Sequence, residues 1–132
     1  MAPAARKANG DMVSTQQLVK RILVVEDDED SAELLAETLQ VRGHRVAVAH
    51  SGADGLELAS RFEPEVVFLD LGLPDMDGVD LCPRLRALPT PPGRLVALTG
   101  YGGDQAQLLA AGFDRCLLKP AAAEALLAAL ED

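Results

Sequence analysis

Six polar side chains, far apart in the chain, stand directly behind short apolar runs. Glu26, Asp27 and Asp28 follow Ile22-Leu23-Val24-Val25, and Asp70 follows Val66-Val67-Phe68-Leu69. Thr99 follows Leu95-Val96-Ala97-Leu98, and Lys119 follows Arg115-Cys116-Leu117-Leu118. If folding gathers them, carboxylates ~4 Å apart repel by several kcal/mol at an effective dielectric of about 20, and a cation between them relieves that repulsion. The neighbouring ligand atoms are oxygens, with no histidine or cysteine among them. That donor set selects a hard divalent ion, Mg²⁺ or Mn²⁺, over zinc. An ammonium from Lys119 and a hydroxyl from Thr99, facing an aspartate beside such an ion, supply the charge neutralisation and the donor that a phosphoryl group needs. A carboxylate held there can act as a nucleophile and form an acyl phosphate, which makes Asp70 a candidate acceptor. No GxxxxGK[ST] loop is present and no GxGxxG follows the first run, so nucleotide cradling by a loop is not supported.

Taken singly, each residue has a plainer role. Asp27 or Asp28 can cap a helix, Asp70 can cap a turn, and a lysine is ordinarily a surface residue. Lys119 is nevertheless the only lysine after residue 20, where the other cations are all arginines. The chemistry rests on joint placement, and that depends on the elements carrying these residues.

The four apolar runs have the continuous character of strands buried on both faces, and Arg45-Val46-Ala47-Val48-Ala49 reads as a further, shorter strand. Between the strands the spacing is helical. Ala32, Leu34, Leu35, Ala36 and Leu39 form a first stripe closing at Arg42-Gly43. Leu56, Leu58 and Ala59 form a second, stopped by Pro64, and Leu81, Cys82, Leu85 and Leu88 a third, ended by Pro89, Pro91 and Pro92. A fourth helix is expected from about Gln105 to Ala111 with Gly112 as its cap, and a fifth through Ala123, Leu126, Leu127 and Leu130. Strict strand and helix alternation predicts an α/β domain of (βα)5 type. Right-handed crossovers make its strands parallel, so their C-terminal ends share one edge, where open α/β sheets bind ligands.

A chain of 132 residues with 48% hydrophobic side chains suits one packed domain. The formal net charge is −9, and residues 1–20 hold Arg6, Lys7 and Lys20 against Asp11 alone, so the remainder is more acidic than the whole. Such a body repels phosphate backbones and anionic membranes, which disfavours nucleic acid as a direct partner unless folding concentrates a basic face. Cys82 and Cys116 lack metal-binding or redox spacing and read as reduced, buried thiols. Without a membrane span or a secretory signal, a cytoplasmic location is expected. Residues 1–20 read as a flexible leader or linker and 21–132 as the domain.

Four segments in register, Ile22–Asp28, Val67–Gly78, Ala97–Gly100 and Leu117–Pro120, resemble the receiver domain of bacterial response regulators, over residues 21 to about 131. The resemblance implies a five-stranded parallel sheet in the order 2-1-3-4-5 with helices on both faces. It implies Asp70 as phosphoacceptor, taking phosphate from a histidine on a kinase or a phosphotransfer protein. Asp27 would ligate Mg²⁺ directly, Glu26 through water, and Gly72 through its backbone carbonyl, with Asp70 completing the set. Thr99 and Lys119 would each contact a phosphoryl oxygen, Asp28 would cap the first helix, and the Lys119-Pro120 bond would be cis. Readout is expected on the face of helix 4, strand 5 and helix 5. Cys116 departs from the pattern, because an aromatic residue often stands three places before the lysine and turns inward with the threonine. Tyr101 is a second candidate gate, and Gly72 leaves room for hydrolytic water. The resemblance implies a protein that catalyses its own phosphorylation and dephosphorylation and is otherwise no conventional enzyme. A stand-alone regulator, a relay intermediate and a segment of a hybrid kinase are all compatible with it. Two rival readings are an aspartate-nucleophile phosphohydrolase, which needs a second acid where Gly72 stands, and an inert protein-binding module on the same fold.

Overall fold

The computed structural model describes residues 19–100 and 105–131. In chain order the elements are β1 (Arg21–Val25), α1 (Glu29–Gln40), β2 (Arg45–Ala49), α2 (Gly52–Phe62), β3 (Val66–Asp70), α3 (Gly78–Arg86), β4 (Arg94–Thr99), α4 (Gln105–Ala110), β5 (Arg115–Leu118) and α5 (Ala123–Ala128). The sheet order is β2-β1-β3-β4-β5 and every pairing is parallel. The expected alternation and strand order are both present.

Alternate side chains of the central strands feed two cores, the arrangement that a parallel sheet covered on both faces requires. Leu23, Val25, Val67, Leu69, Leu95 and Ala97 pack with Ala59 of α2, Leu81 and Leu85 of α3 and Leu108 of α4. Ile22, Val24, Val66, Phe68, Val96 and Leu98 pack with Ala32 and Leu39 of α1 and Leu126 of α5. Among the described residues no helix is long and apolar enough to cross a membrane.

Helix ends follow local chemistry. Asp28 caps α1 through the Ser31 N–H, Ser51 caps α2 through the Asp54 N–H, and Asp77 caps α3 through the Val79 N–H. Gly43 and Gly112 take positive φ, as expected of them. At the end of α2, Glu63 adopts the left-handed conformation ahead of Pro64, whose ring disfavours α geometry in the preceding residue.

Two packing expectations need correction. Leu34 does not join the apolar stripe of α1: it is 66% exposed, while Ala32, Ala36 and Leu39 are buried. At about 100° per residue it lies on the opposite side of the helix from Ala32. Both cysteines are free thiols, but Cys116 is only half-buried, because β5 is an edge strand exposed at both ends.

Candidate functional site

At the C-terminal edge of the sheet the chain places Glu26, Asp70, Thr99 and Lys119 at the ends of four adjacent strands. Carboxylate oxygens of Glu26, Asp27 and Asp70 all lie within 4.8 Å of one another. Glu26 is fully buried, and Asp70 and Thr99 are each 8% exposed. Asp27 is exposed at the mouth.

The ammonium of Lys119 closes this group. It donates to Glu26 Oε1 at 2.8 Å and stands 3.6 Å from Asp70 Oδ2. Its own backbone N–H donates to the Thr99 carbonyl at 2.7 Å, and the Lys119-Pro120 bond is cis. Burial would lower the Lys119 pKa, but the hydrogen bond and charge of Glu26 and the charge of Asp70 outweigh it and hold the ammonium above the ordinary lysine value. Burial pushes Glu26 above the usual carboxylate range, against the pull of Lys119.

Backbone contacts fix the remaining geometry. Glu26 Oε2 accepts from the Asp28 N–H at 3.1 Å, and the Glu26 carbonyl accepts from His50 Nδ1 at 2.9 Å. Asp70 Oδ1 accepts from the Gly72 N–H at 3.3 Å. The loop behind Asp70 is pinned by an antiparallel bridge between Gly72 and Asp77 and by the Gly78 N–H donating to the Leu71 carbonyl. Gly78 must be small: a β-carbon there would meet Leu71 Cα at 2.8 Å and the Asp70 carbonyl at 2.9 Å. Gly72, by contrast, faces open space and lines a cavity of about 690 Å³ with Asp70, Thr99, Gln107 and Lys119.

Every site residue read from the sequence therefore lies on one rim, although Asp28 belongs to the helix cap: Ser31 donates to it from both backbone and hydroxyl, which lowers its pKa. Tyr101 lies outside the described residues. Two supports escaped the sequence reading. Asp75 accepts the Gly52 and Ala53 N–H groups at 2.7 and 2.8 Å, tying the acceptor loop to the start of α2, and His50 braces the Glu26 backbone. Both contacts span more than twenty residues, which no local pattern reveals.

The family model described as response regulator receiver domain matches residues 22–131. The chain belongs to the response regulator receiver family. The receiver domain is 38% identical over 109 residues to the transcriptional regulatory protein KdpE of Mycobacterium tuberculosis, an alignment covering 83% of this chain and 48% of that protein. It thus spans about half the length of the curated relatives it matches. It resembles a CheY-like response regulator receiver domain from Methylobacillus flagellatus at a TM-score of 0.72 and 34% identity, covering 82% of this chain and 92% of that one. A response regulator from Burkholderia pseudomallei, crystallised with a phosphorylated aspartic acid, calcium ion and citrate, superposes at a TM-score of 0.75 with 36% identity, covering 85% of this chain and 66% of that one. The phospho-accepting signalling switch is the function of this family, and neither rival reading is favoured.

Proposed function

We propose that Asp70 is the phosphoacceptor, taking its phosphoryl group from a phosphohistidine on a kinase or phosphotransfer protein. An Asp70 carboxylate oxygen attacks phosphorus, the donor N–P bond breaks, and the histidine nitrogen leaves with the bonding pair. The observation that carries this reading is the Lys119 ammonium bridging Glu26 and Asp70, 2.8 and 3.6 Å away, beside a third carboxylate.

The three carboxylates fit a hard divalent ion, since all their donors are oxygen and their repulsion exceeds what one ammonium offsets. Asp27 and Asp70 would hold Mg²⁺ (or Mn²⁺) directly, Glu26 through water, and the Gly72 carbonyl would complete the protein ligands. When bound, the ion neutralises charge on the transferring oxygens. The Burkholderia relative, with its phosphorylated aspartic acid and calcium ion, supports an acyl phosphate beside a divalent ion.

Phosphorylation adds about −1.5 to −2 charge at the rim. Lys119 then turns from Glu26 to a phosphoryl oxygen, and the Thr99 hydroxyl moves toward another. Among the described residues, α4 exposes Leu109 and β5 exposes Leu118, apolar contacts available where a downstream partner reads the change on the α4–β5–α5 face. With Cys116 in place of a ring, the coupling runs through Thr99 and α4. The switching unit is residues 21–132, with 1–20 as a leader, and it acts in the cytoplasm without touching nucleic acid or membrane. It catalyses its own phosphorylation from a suitable donor and its own dephosphorylation.

The test is incubation with Mg²⁺ and acetyl phosphate, or with beryllofluoride, comparing wild type and Asp70→Asn by mass and by amide NMR shifts. An adduct and shifts in wild type alone are expected. Equal labelling of Asp70→Asn, or no change in wild type, overturns the assignment.

A further inference from the structure

The fold sorts charge along the strand direction. At the C-terminal lip stand Glu26, Asp27, Asp70, Asp75 and Asp77, together with acids in the first turns of α1, α2, α3 and α5, and Lys119 is the only cation there among the described residues. The other described cations all fall at the opposite edge, because helices run antiparallel to the strands. Lys20, Arg21, Arg45, Arg94 and Arg115 precede or open strands, Arg42 follows α1, and Arg61, Arg84 and Arg86 close α2 and α3. A five-residue strand separates the edges by about 16 Å, twice the screening length of about 8 Å at physiological salt. The acidic lip therefore does not cancel the basic floor, even at a net charge of −9.

The floor itself is uneven. Toward β5, Arg86 is engaged internally, donating to Asp114 at 2.8 Å and to the Gly112 carbonyl at 2.7 Å. At the β1–β2 end, Arg21 and Arg45 are register partners on neighbouring strands, and the Arg45 N–H donates to the Lys20 carbonyl. Arg42, Arg45 and Arg61 are exposed there and make no ion pair with the described residues. Glu63 and Glu65 follow α2 in this corner, and Glu57 stands one turn before Arg61. Glu65 Oε1 accepts the Arg21 N–H, and the backbone carbonyl of Glu63 accepts from Arg21 Nε, which leaves the Glu63 carboxylate itself exposed at the edge of the patch.

We propose that the β1–β2 end of the floor docks a short, carboxylate-rich segment of a partner protein. Three arginines there present planar forks that match carboxylates two donors at a time, a geometry that lysine does not offer. Glu65 borders the patch on the β3 side, and Asp114 lies beyond it. A nucleic acid duplex or an anionic bilayer would extend past that boundary and meet carboxylates. The surface lies at the opposite end of the sheet from Asp70, so it is independent of phosphorylation chemistry and able to hold a partner in either state.

The full chain is titrated with a hexaglutamate peptide at low and at physiological salt, followed by amide NMR. Saturable shifts confined to residues 20–21, 42–45 and 61–65 are expected, with affinity falling as salt rises. Arg42→Glu with Arg45→Glu should weaken binding by about tenfold or more, and Arg45→Gln by less. Both positions are exposed, and an otherwise unchanged amide spectrum shows that the fold is intact. Absence of saturable shifts, shifts centred on the lip, or equal binding by the charge-reversed variant would overturn the proposal. So would tighter binding of duplex DNA or anionic vesicles at the same salt, or concentration-dependent broadening from a second copy docking its acidic lip on the floor.

Discussion

Strands β1, β3 and β4 are buried along nearly their whole length, whereas β5 is exposed at both ends and α4 and α5 run for only six residues each. The caps divide the same way: α1, α2 and α3 each begin with a side-chain cap, while α5 begins at Ala122 with none. The stiff part carries Glu26, Asp27 and Asp70, which the proposed phosphoryl transfer needs already in place. The looser part carries Lys119 and the proposed readout face. A switch needs both: a pocket organised before the phosphoryl group arrives, and neighbouring elements whose packing leaves a second arrangement within reach. The Arg86 contacts to Gly112 and Asp114 tie the turn that follows α4 to the end of α3.

The largest test of this contrast is truncation on either side. Phe68→Ala, in the fully buried middle strand, should cost about 3–5 kcal/mol, and Leu118→Ala, on the 56% exposed edge, within about 0.5 kcal/mol. Urea unfolding measures both, and comparable losses would erase the distinction. Next comes Gly78→Ala, whose β-carbon would press on Leu71 and on the Asp70 carbonyl. It should cost about 1–3 kcal/mol and slow acetyl-phosphate labelling of Asp70 as the acceptor is displaced. Normal labelling with lowered stability would show that the loop, and not the acceptor, absorbs the strain.

Much of the stiff part was legible in the sequence because its signals are local. Continuous apolar runs named the strands, and a polar residue directly behind each run named the rim. Parallel topology then placed those residues together without any knowledge of side-chain contacts. What stayed hidden depended on distance or on helix phase. The Lys119 bond to Glu26 crosses 93 positions, and the Asp75 contact with the N-terminus of α2 crosses more than twenty. Leu34 reads as part of the buried stripe because three leucines in six residues leave the phase of α1 open, which Ala32 and Ala36 decide only once the sheet is present. The half-exposure of Cys116 follows from an edge position that composition cannot disclose.

Gly72 sharpens the comparison from the open side of the pocket. Nothing lies within 4 Å of where its β-carbon would be, so Gly72→Arg should fold normally and place a long side chain across the route of hydrolytic water. The acyl phosphate on Asp70 should live longer, by a margin measured from the decay of phosphoprotein after the donor is removed. An unchanged or shorter lifetime would show that water reaches the phosphoryl group by another path.

The smallest effect expected is a pH dependence at the floor of the stiff part. His44 Nδ1 accepts the Lys20 backbone N–H at 3.1 Å, a bond an imidazolium cannot accept. Burial, then the charge of Lys20, hold the His44 pKa below the ordinary histidine value, against a weaker pull from Glu65. An unfolded histidine titrates near ~6.5, so the unfolded chain takes up this proton first as pH falls. The contribution of His44 is therefore complete above that value and is lost as pH drops through the lower folded-state pKa. The stability difference between wild type and His44→Gln, measured by urea unfolding at pH 8 and pH 5.5, should shrink at the lower pH. Amide exchange should show the loosening at Lys20 and β2 before α4 or β5. If the difference grows on acidification, His44 is charged in the folded chain and the Lys20 contact is not what fixes the first strand.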